Sequence, residues 1–165
     1  MKKIVMIAAL FCLFGLLVGC QDVYSQKPAY GKAEDFVLKD INGGSVKLSD
    51  SKGKIIILNF FATWCPPCKR EMPDFNEIAK EYKGKVEIIA VNIGRENAAA
   101  LRKFAQNNKL EFPVLIDDGK VSSAYGPIRY IPVTVIIDKS FNIARKYTGS
   151  RTRQQLAEDI EELSR

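Results

Sequence analysis

Histidine is absent from all 165 residues, and cysteine occurs only four times, at Cys12, Cys20, Cys65 and Cys68. A zinc site takes about four Cys or His ligands. With no histidine, and with two of the four cysteines near the N-terminus, the Cys65/Cys68 pair lacks the partners for one. Covalent haem attachment needs histidine directly after a Cys-x-x-Cys pair, and Lys69 stands there. Acid is absent from residues 1–19, which carry Lys2 and Lys3. The formal charge of +6 therefore overstates the basicity of the remainder, where 23 basic residues face 19 acidic ones, a balance of +4. No dense Lys/Arg run stands out, so nucleic acid is not read as a partner. Internal repeats and low-complexity tracts are also missing. At 47% hydrophobic, the chain has enough apolar material for one domain with a proper core.

What is present begins with an address. Residues 4–19 are apolar throughout. That length is short of the about 20 residues of a spanning helix, but it fits the h-region of a secretory signal behind a short positive segment. The run ends in Leu17-Val18-Gly19-Cys20, which resembles the lipobox of bacterial lipoproteins. In that family the signal is cut before the cysteine, and the cysteine is lipid-modified. The resemblance implies a signal peptide over residues 1–19, a lipidated N-terminus at Cys20, and a polar tether over residues 20–32 holding the domain off the extracytoplasmic side of a bacterial membrane, at the periplasmic or the outer cell-membrane face. An uncleaved anchor or a plain signal peptide is the alternative. Cys12 would leave with the signal and Cys20 would be capped. The exported chain would then keep one free thiol pair, Cys65 and Cys68, and no cysteine for a structural bridge.

That pair lies in Trp64-Cys65-Pro66-Pro67-Cys68. Before it runs Ile55-Ile56-Ile57-Leu58-Asn59-Phe60-Phe61, apolar on successive residues, which reads as a central strand buried on both faces. After it, Met72, Phe75, Ala79 and Tyr82 recur at helical spacing. Strand, tight turn and helix place Cys65 just ahead of a helix N-terminus, where the macrodipole and free N–H groups favour an anion. The thiolate is the attacking form of cysteine, so Cys65 is the candidate nucleophile. Cys68, one helical turn on, can close a disulfide with it. A purely structural role is the alternative, but so short a loop constrains little chain entropy.

The rest of the chain alternates strands and helices. Asn42-Gly43-Gly44 between Phe36–Leu38 and Val46–Leu48 predicts a hairpin. The helix after Cys68 is expected to run to about Lys83, kinked at Pro73 and capped by Gly84. Val86–Ile93 is the next buried strand, and Asn97–Asn107 a helix. Phe112–Ile116 is a short strand that Pro113 places at an edge or a start. A short helix over Val121–Tyr125, strands at Val133–Ile137 and Ile143–Thr148, and a final helix opened by a Thr152 capping box complete an α/β mixed sheet covered on both faces.

From Asn59 to Cys68 the sequence looks like the active-site stretch of thioredoxin-fold proteins, and it most resembles the TlpA/ResA-like thiol-disulfide oxidoreductases over residues 32–163. The resemblance implies a thioredoxin-like domain over residues 33–165, with a leading β-hairpin and a central αβ insertion near Asn97–Ile116. It also implies a cis Pro132 against the active-site disulfide, with Ile131 offering its backbone to substrate. Trp64, Pro66, Pro67, Ile131 and Pro132 become the substrate-contacting set. Ordinary thioredoxins carry a buried Asp where Asn59 stands, so a proton acceptor for Cys68 must lie elsewhere. Glu71 matches a functional glutamate of the ResA-like proteins, although a Glu near a helix start is also favoured by the dipole alone.

The activity implied is protein dithiol-disulfide exchange on exported proteins, with apocytochrome c as one substrate, as in cytochrome c biogenesis, and a membrane electron donor such as a CcdA-like protein. No cofactor is expected beyond the redox-active pair, no metal is expected, and a monomer is expected. A peroxiredoxin-like peroxidase is the alternative, but its Pro-x-x-x-Thr-x-x-Cys pattern meets Leu58 and Ala62 here. A copper-delivery module like the Sco proteins needs a Cys-x-x-x-Cys pair and a distant histidine. A reductant is expected rather than an oxidant, because Pro66-Pro67 offers neither charge nor N–H to stabilise the Cys65 thiolate.

Overall fold

The computed structural model describes residues 30–165. The signal, Cys12, the proposed lipid site at Cys20 and the tether up to residue 29 lie outside the described residues. The strands are β1 (Val37–Asp40), β2 (Ser45–Lys47), β3 (Ile55–Phe61), β4 (Val86–Asn92), β5 (Val114–Ile116), β6 (Val133–Ile137) and β7 (Ile143–Thr148). The helices are α1 (Pro66–Glu81), α2 (Ala98–Asn107), α3 (Lys120–Ala124) and α4 (Arg153–Ser164), with a 3-10 turn at Leu48–Ser51. The strands form one mixed sheet in the order β2-β1-β5-β4-β3-β6-β7. Neighbours β3, β4 and β5 are parallel, while β6 pairs antiparallel with β3. This is the thioredoxin-like fold, with the leading hairpin and the α2–β5 insertion in the expected places.

Strand β3 is central because its side chains are apolar on both faces, and all seven of its residues are buried. Alternation along the strand splits them. Ile55, Ile57 and Phe61 meet Phe75 of α1, Leu101 of α2 and Ile160 of α4. Ile56, Leu58 and Phe60 face the other way, onto Leu48 and Val121. Three helices thus cover one face, and the 3-10 turn and short α3 serve the other. Each fully buried Ile, Leu or Phe contributes roughly 1.5–3 kcal/mol, so the sheet around β3 is a firm platform for the cysteine turn at its C-terminal end.

Several local expectations need correction. Helix α1 starts at Pro66 directly after Cys65 and carries Pro73 inside it, both as expected, but its end differs. It stops at Glu81 with Tyr82 as its cap, whose N–H donates to Ile78 O. Gly84 therefore is not the cap. It lies beyond, at φ 82°, in the turn whose Lys85 and Val86 N–H groups donate to Tyr82 O. Strand β5 is not at an edge, since β4 and β1 flank it. Pro113 stands just outside the ladder, where its missing N–H costs nothing and its carbonyl accepts from Ala90 N–H at 3.0 Å. Residues 31 and 32, expected at the end of the tether, already bond to the fold: Gly31 O accepts from Ile143 N–H, and Lys32 bridges to Asn142. The Asn97 cap of α2 and the Thr152–Gln155 capping box of α4 are both formed.

Candidate active site

Beyond Phe61 the chain leaves the core through Ala62, Thr63 and Trp64 and reaches Cys65, the N-cap of α1. Cys65 has extended backbone angles, φ −82° and ψ 111°, as an N-cap requires. Its sulfur accepts the backbone N–H of Cys68 at 3.4 Å. Pro66 and Pro67 fill the first two helical positions, where their fixed φ suits the helix and their lack of N–H leaves nothing unpaired. Of the donors at this helix start, Cys68 N–H is therefore the one that reaches the Cys65 sulfur.

Cys65 and Cys68 are joined as a disulfide, their Cα atoms 5.3 Å apart. Cys68 is fully buried, whereas Cys65 keeps 3% of its surface exposed beside Trp64, which is 64% exposed. Of the pair, only Cys65 keeps any exposed surface. The Ile131–Pro132 peptide bond is cis, as the resemblance implies. The Ile131 carbonyl oxygen lies 3.7 Å from Cys65 Sγ, and Pro132 O accepts Gly149 N–H at 2.8 Å. Tyr130, just ahead, is exposed. The structure thus brings Cys65 and Ile131 together, with Trp64 and Pro66 exposed and Pro67 half-buried in the cysteine turn, and Pro132 buried behind Ile131.

Glu71 stands apart from that surface. It lies one turn beyond Cys68 on the inner face of α1 and is 1% exposed. Oε1 accepts from Asn59 Nδ2 at 2.9 Å, and Oε2 accepts from the backbone N–H of Arg151 at 3.1 Å. Asn59 Nδ2 also reaches Thr134 Oγ1 at 3.2 Å, two residues past Pro132. Burial pushes the Glu71 carboxyl up to about 7; the Arg151 and Asn59 donors pull it down, and the Asp74 charge pushes it further up. A buried carboxyl poised near neutrality can take or give a proton at working pH. Asn59 cannot titrate, and here it holds the group that can.

Two contributors escaped sequence reasoning. Arg151 acts through a backbone N–H, which no side-chain pattern announces. Glu96 accepts the backbone N–H of Thr63 at 2.8 Å, and only the path of the chain after β4 brings it there. Among the described residues, no helix is long and apolar enough to cross a membrane.

Comparison with known proteins points the same way. The AhpC/TSA family matches residues 30–155. The chain is 42% identical over 133 residues to the thiol-disulfide oxidoreductase ResA of Geobacillus thermodenitrificans, covering 79% of this chain and 75% of that protein. The crystal structure of StoA from Bacillus subtilis aligns with a TM-score of 0.66 at 31% identity, over 76% of this chain and 95% of that one. The pneumococcal exposed lipoprotein thioredoxin Etrx1 of Streptococcus pneumoniae aligns with a TM-score of 0.70 at 31% identity, over 79% of this chain and all of that one (100%).

Proposed function

The chain belongs to the AhpC/TSA family and is a thiol-disulfide oxidoreductase of the ResA type; from that premise we propose that it works as a lipid-anchored reductant of disulfides in exported proteins. The observation that carries the direction is the helix start at Cys65. Its sulfur receives one backbone donor, from Cys68, because Pro66 and Pro67 bring none. A thiolate held by fewer donors is less stabilised, so the reduced form gives up its electrons more readily.

The reaction balances as two exchanges. The Cys65 thiolate attacks one sulfur of a substrate disulfide, and the other substrate sulfur leaves as a thiolate that takes up a proton. Cys68, deprotonated, then attacks Cys65 Sγ, which closes the Cys65–Cys68 disulfide and releases the second substrate sulfur as a thiol. Two electrons pass from the pair to the substrate. Glu71 is the acceptor for the Cys68 proton, a role its burial and raised affinity for protons suit. Trp64, Pro66, Pro67, Ile131 and Pro132 form the contact surface, with the Ile131 backbone pairing to the substrate strand beside the sulfur. The pair itself carries the redox equivalents, so no cofactor or metal takes part.

Lipid on Cys20 would tether the monomeric domain to the extracytoplasmic face of a membrane, where a CcdA-like protein can return it to the dithiol form. Apocytochrome c, whose cysteines must be reduced before haem attachment, is a fitting substrate. A peroxidase would want proline and threonine where Leu58 and Ala62 stand. The test is partner trapping in cells. Cys68→Ser should accumulate mixed disulfides through Cys65, identifiable by mass spectrometry and released by reductant, while Cys65→Ser traps none. Trapping by Cys65→Ser instead would reverse the two roles.

A further inference from the structure

Strands β3 and β4 run side by side as a parallel ladder as far as Phe61 and Asn92. Ile93 N–H adds one more backbone rung to Phe61 O at 3.0 Å. There the backbone ladder stops, two residues short of Thr63 and four short of Cys65. A side chain then takes over. Glu96 Oε1 accepts both the backbone N–H and the hydroxyl of Thr63.

The chain is shaped to allow this. Arg95 adopts φ 64°, a left-handed conformation that is uncommon for a residue with a side chain. A Cβ at Gly94 would run into Glu96 Oε2 and come within 2.8 Å of Ala62 Cβ. Glu96 Oε2 is buried with no hydrogen-bond partner, and so are both polar side-chain atoms of Asn92, the last residue of β4. A carboxylate free to swing into solvent would not leave an oxygen dry and unpaired. Its charge-assisted bonds to Thr63 are what hold it in place.

We propose that Glu96 is a positioning residue for disulfide exchange: its carboxylate clamps the Thr63–Cys65 turn so that the Cys65 sulfur stays over Cys68 N–H and beside the Ile131 carbonyl. The inference rests on Cys65 being the attacking sulfur. Burial presses the Glu96 carboxyl upward, but the hydroxyl and N–H of Thr63, its own N–H, and the Asn92 amide, near but outside hydrogen-bonding geometry, hold it below the ordinary carboxylate value. The clamp is therefore ionised across the neutral range. Position and charge then push the Cys65 thiol in opposite directions. Loss of the negative charge alone would ease thiolate formation, whereas loss of position removes the Cys68 donor and hinders it.

The experiment uses the reduced full chain and its Glu96→Ala, Glu96→Gln and Gly94→Ala variants. It reads the pH profile of Cys65 alkylation by iodoacetamide and the rate of exchange with oxidised glutathione. Glu96→Ala should shift the profile to higher pH and slow exchange by ~10-fold or more. Glu96→Gln keeps an oxygen for Thr63 N–H and should exchange within about threefold of the parent, without an upward shift. Gly94→Ala should resemble Glu96→Ala and add little to it in the double variant. Should Glu96→Ala not fold, Thr63→Val deletes only the hydroxyl partner and should move both readouts the same way by less. A folded Glu96→Ala, or in its place a Thr63→Val, with the parent's profile and rate overturns the clamp alone, as does a Glu96→Gln as impaired as Glu96→Ala. First alkylation at Cys68 in the parent overturns the site assignment, and the clamp with it.

Discussion

Glu71 and Arg151, 80 positions apart in the chain, meet where the Arg151 backbone N–H donates to Glu71 Oε2 at 3.1 Å. Arg151 is itself held by α4. Its guanidinium lies 3.9 Å from the centre of the Tyr147 ring and 3.5 Å from Asp159 Oδ2, and Tyr147 OH donates to Asp159 Oδ1 at 2.8 Å. Gly149 N–H meanwhile bonds Pro132 O. One short segment after β7 therefore touches both the cis-proline loop and the buried carboxyl beneath the cysteines.

The Glu71 site makes stability depend on pH with a definite sign. The carboxyl binds its proton more tightly in the folded state, about 7 against 4.5. Between those values the folded protein keeps a proton that the unfolded chain releases, so the group's contribution is full below about 4.5 and is lost as pH rises through about 7. The loss is on the order of 3 kcal/mol by linkage. Urea denaturation of the oxidised protein from acid to neutral pH should show this fall, and Glu71→Gln should flatten it. Parallel curves for the two proteins would return Glu71 to a helix-end role. Glu71→Gln should also change the pH profile of thiol exchange if the carboxyl takes the Cys68 proton.

On the proposed mechanism, the residues between the cysteines set the direction of electron flow. Pro67→His restores an N–H and adds a group that can carry positive charge next to Cys65, which stabilises the thiolate. The reduction potential should rise by about 30 mV or more, which corresponds to roughly tenfold in the exchange equilibrium. Redox titration against glutathione measures it. An unchanged potential would mean that the helix start does not set the poise.

The proposed lipid anchor is tested by location. Cys20→Ala should release the domain from membranes in cell fractionation while leaving its exchange rate in solution intact. Unchanged membrane partition, with the signal cut elsewhere, would remove the lipoprotein assignment.

Much of this architecture is legible in the sequence, for identifiable reasons. Seven consecutive residues with apolar side chains on both faces, Ile55–Phe61 with Asn59 as the exception, can only sit in the middle of a covered sheet, and they do. The reactive pair announces itself because turn, prolines and helix periodicity agree. Pro113 marked a strand start, and β5 does begin directly after it, but a three-residue strand does not show who its neighbours are, so the edge alternative stayed open until the sheet order was known. Gly84 misled because a glycine at positive φ serves a turn as well as a helix cap. Glu96 and Arg151 left no signal, because the contacts depend on chain paths fixed by tertiary packing, at Arg95 and behind α4. Asn59 shows the limit most clearly: its amide side chain excluded it as an acid, but only the structure showed which acid it holds.

The central claim is that Cys65 and Cys68 form a reducing pair, and the most direct test is the reduction potential of the mature domain equilibrated in graded dithiothreitol or glutathione buffers. The Pro66-Pro67 helix start predicts a value nearer thioredoxin, about −270 mV, than the strong oxidant near −120 mV. A value above about −180 mV, where protein disulfide isomerase sits, would contradict it and make the protein a disulfide donor.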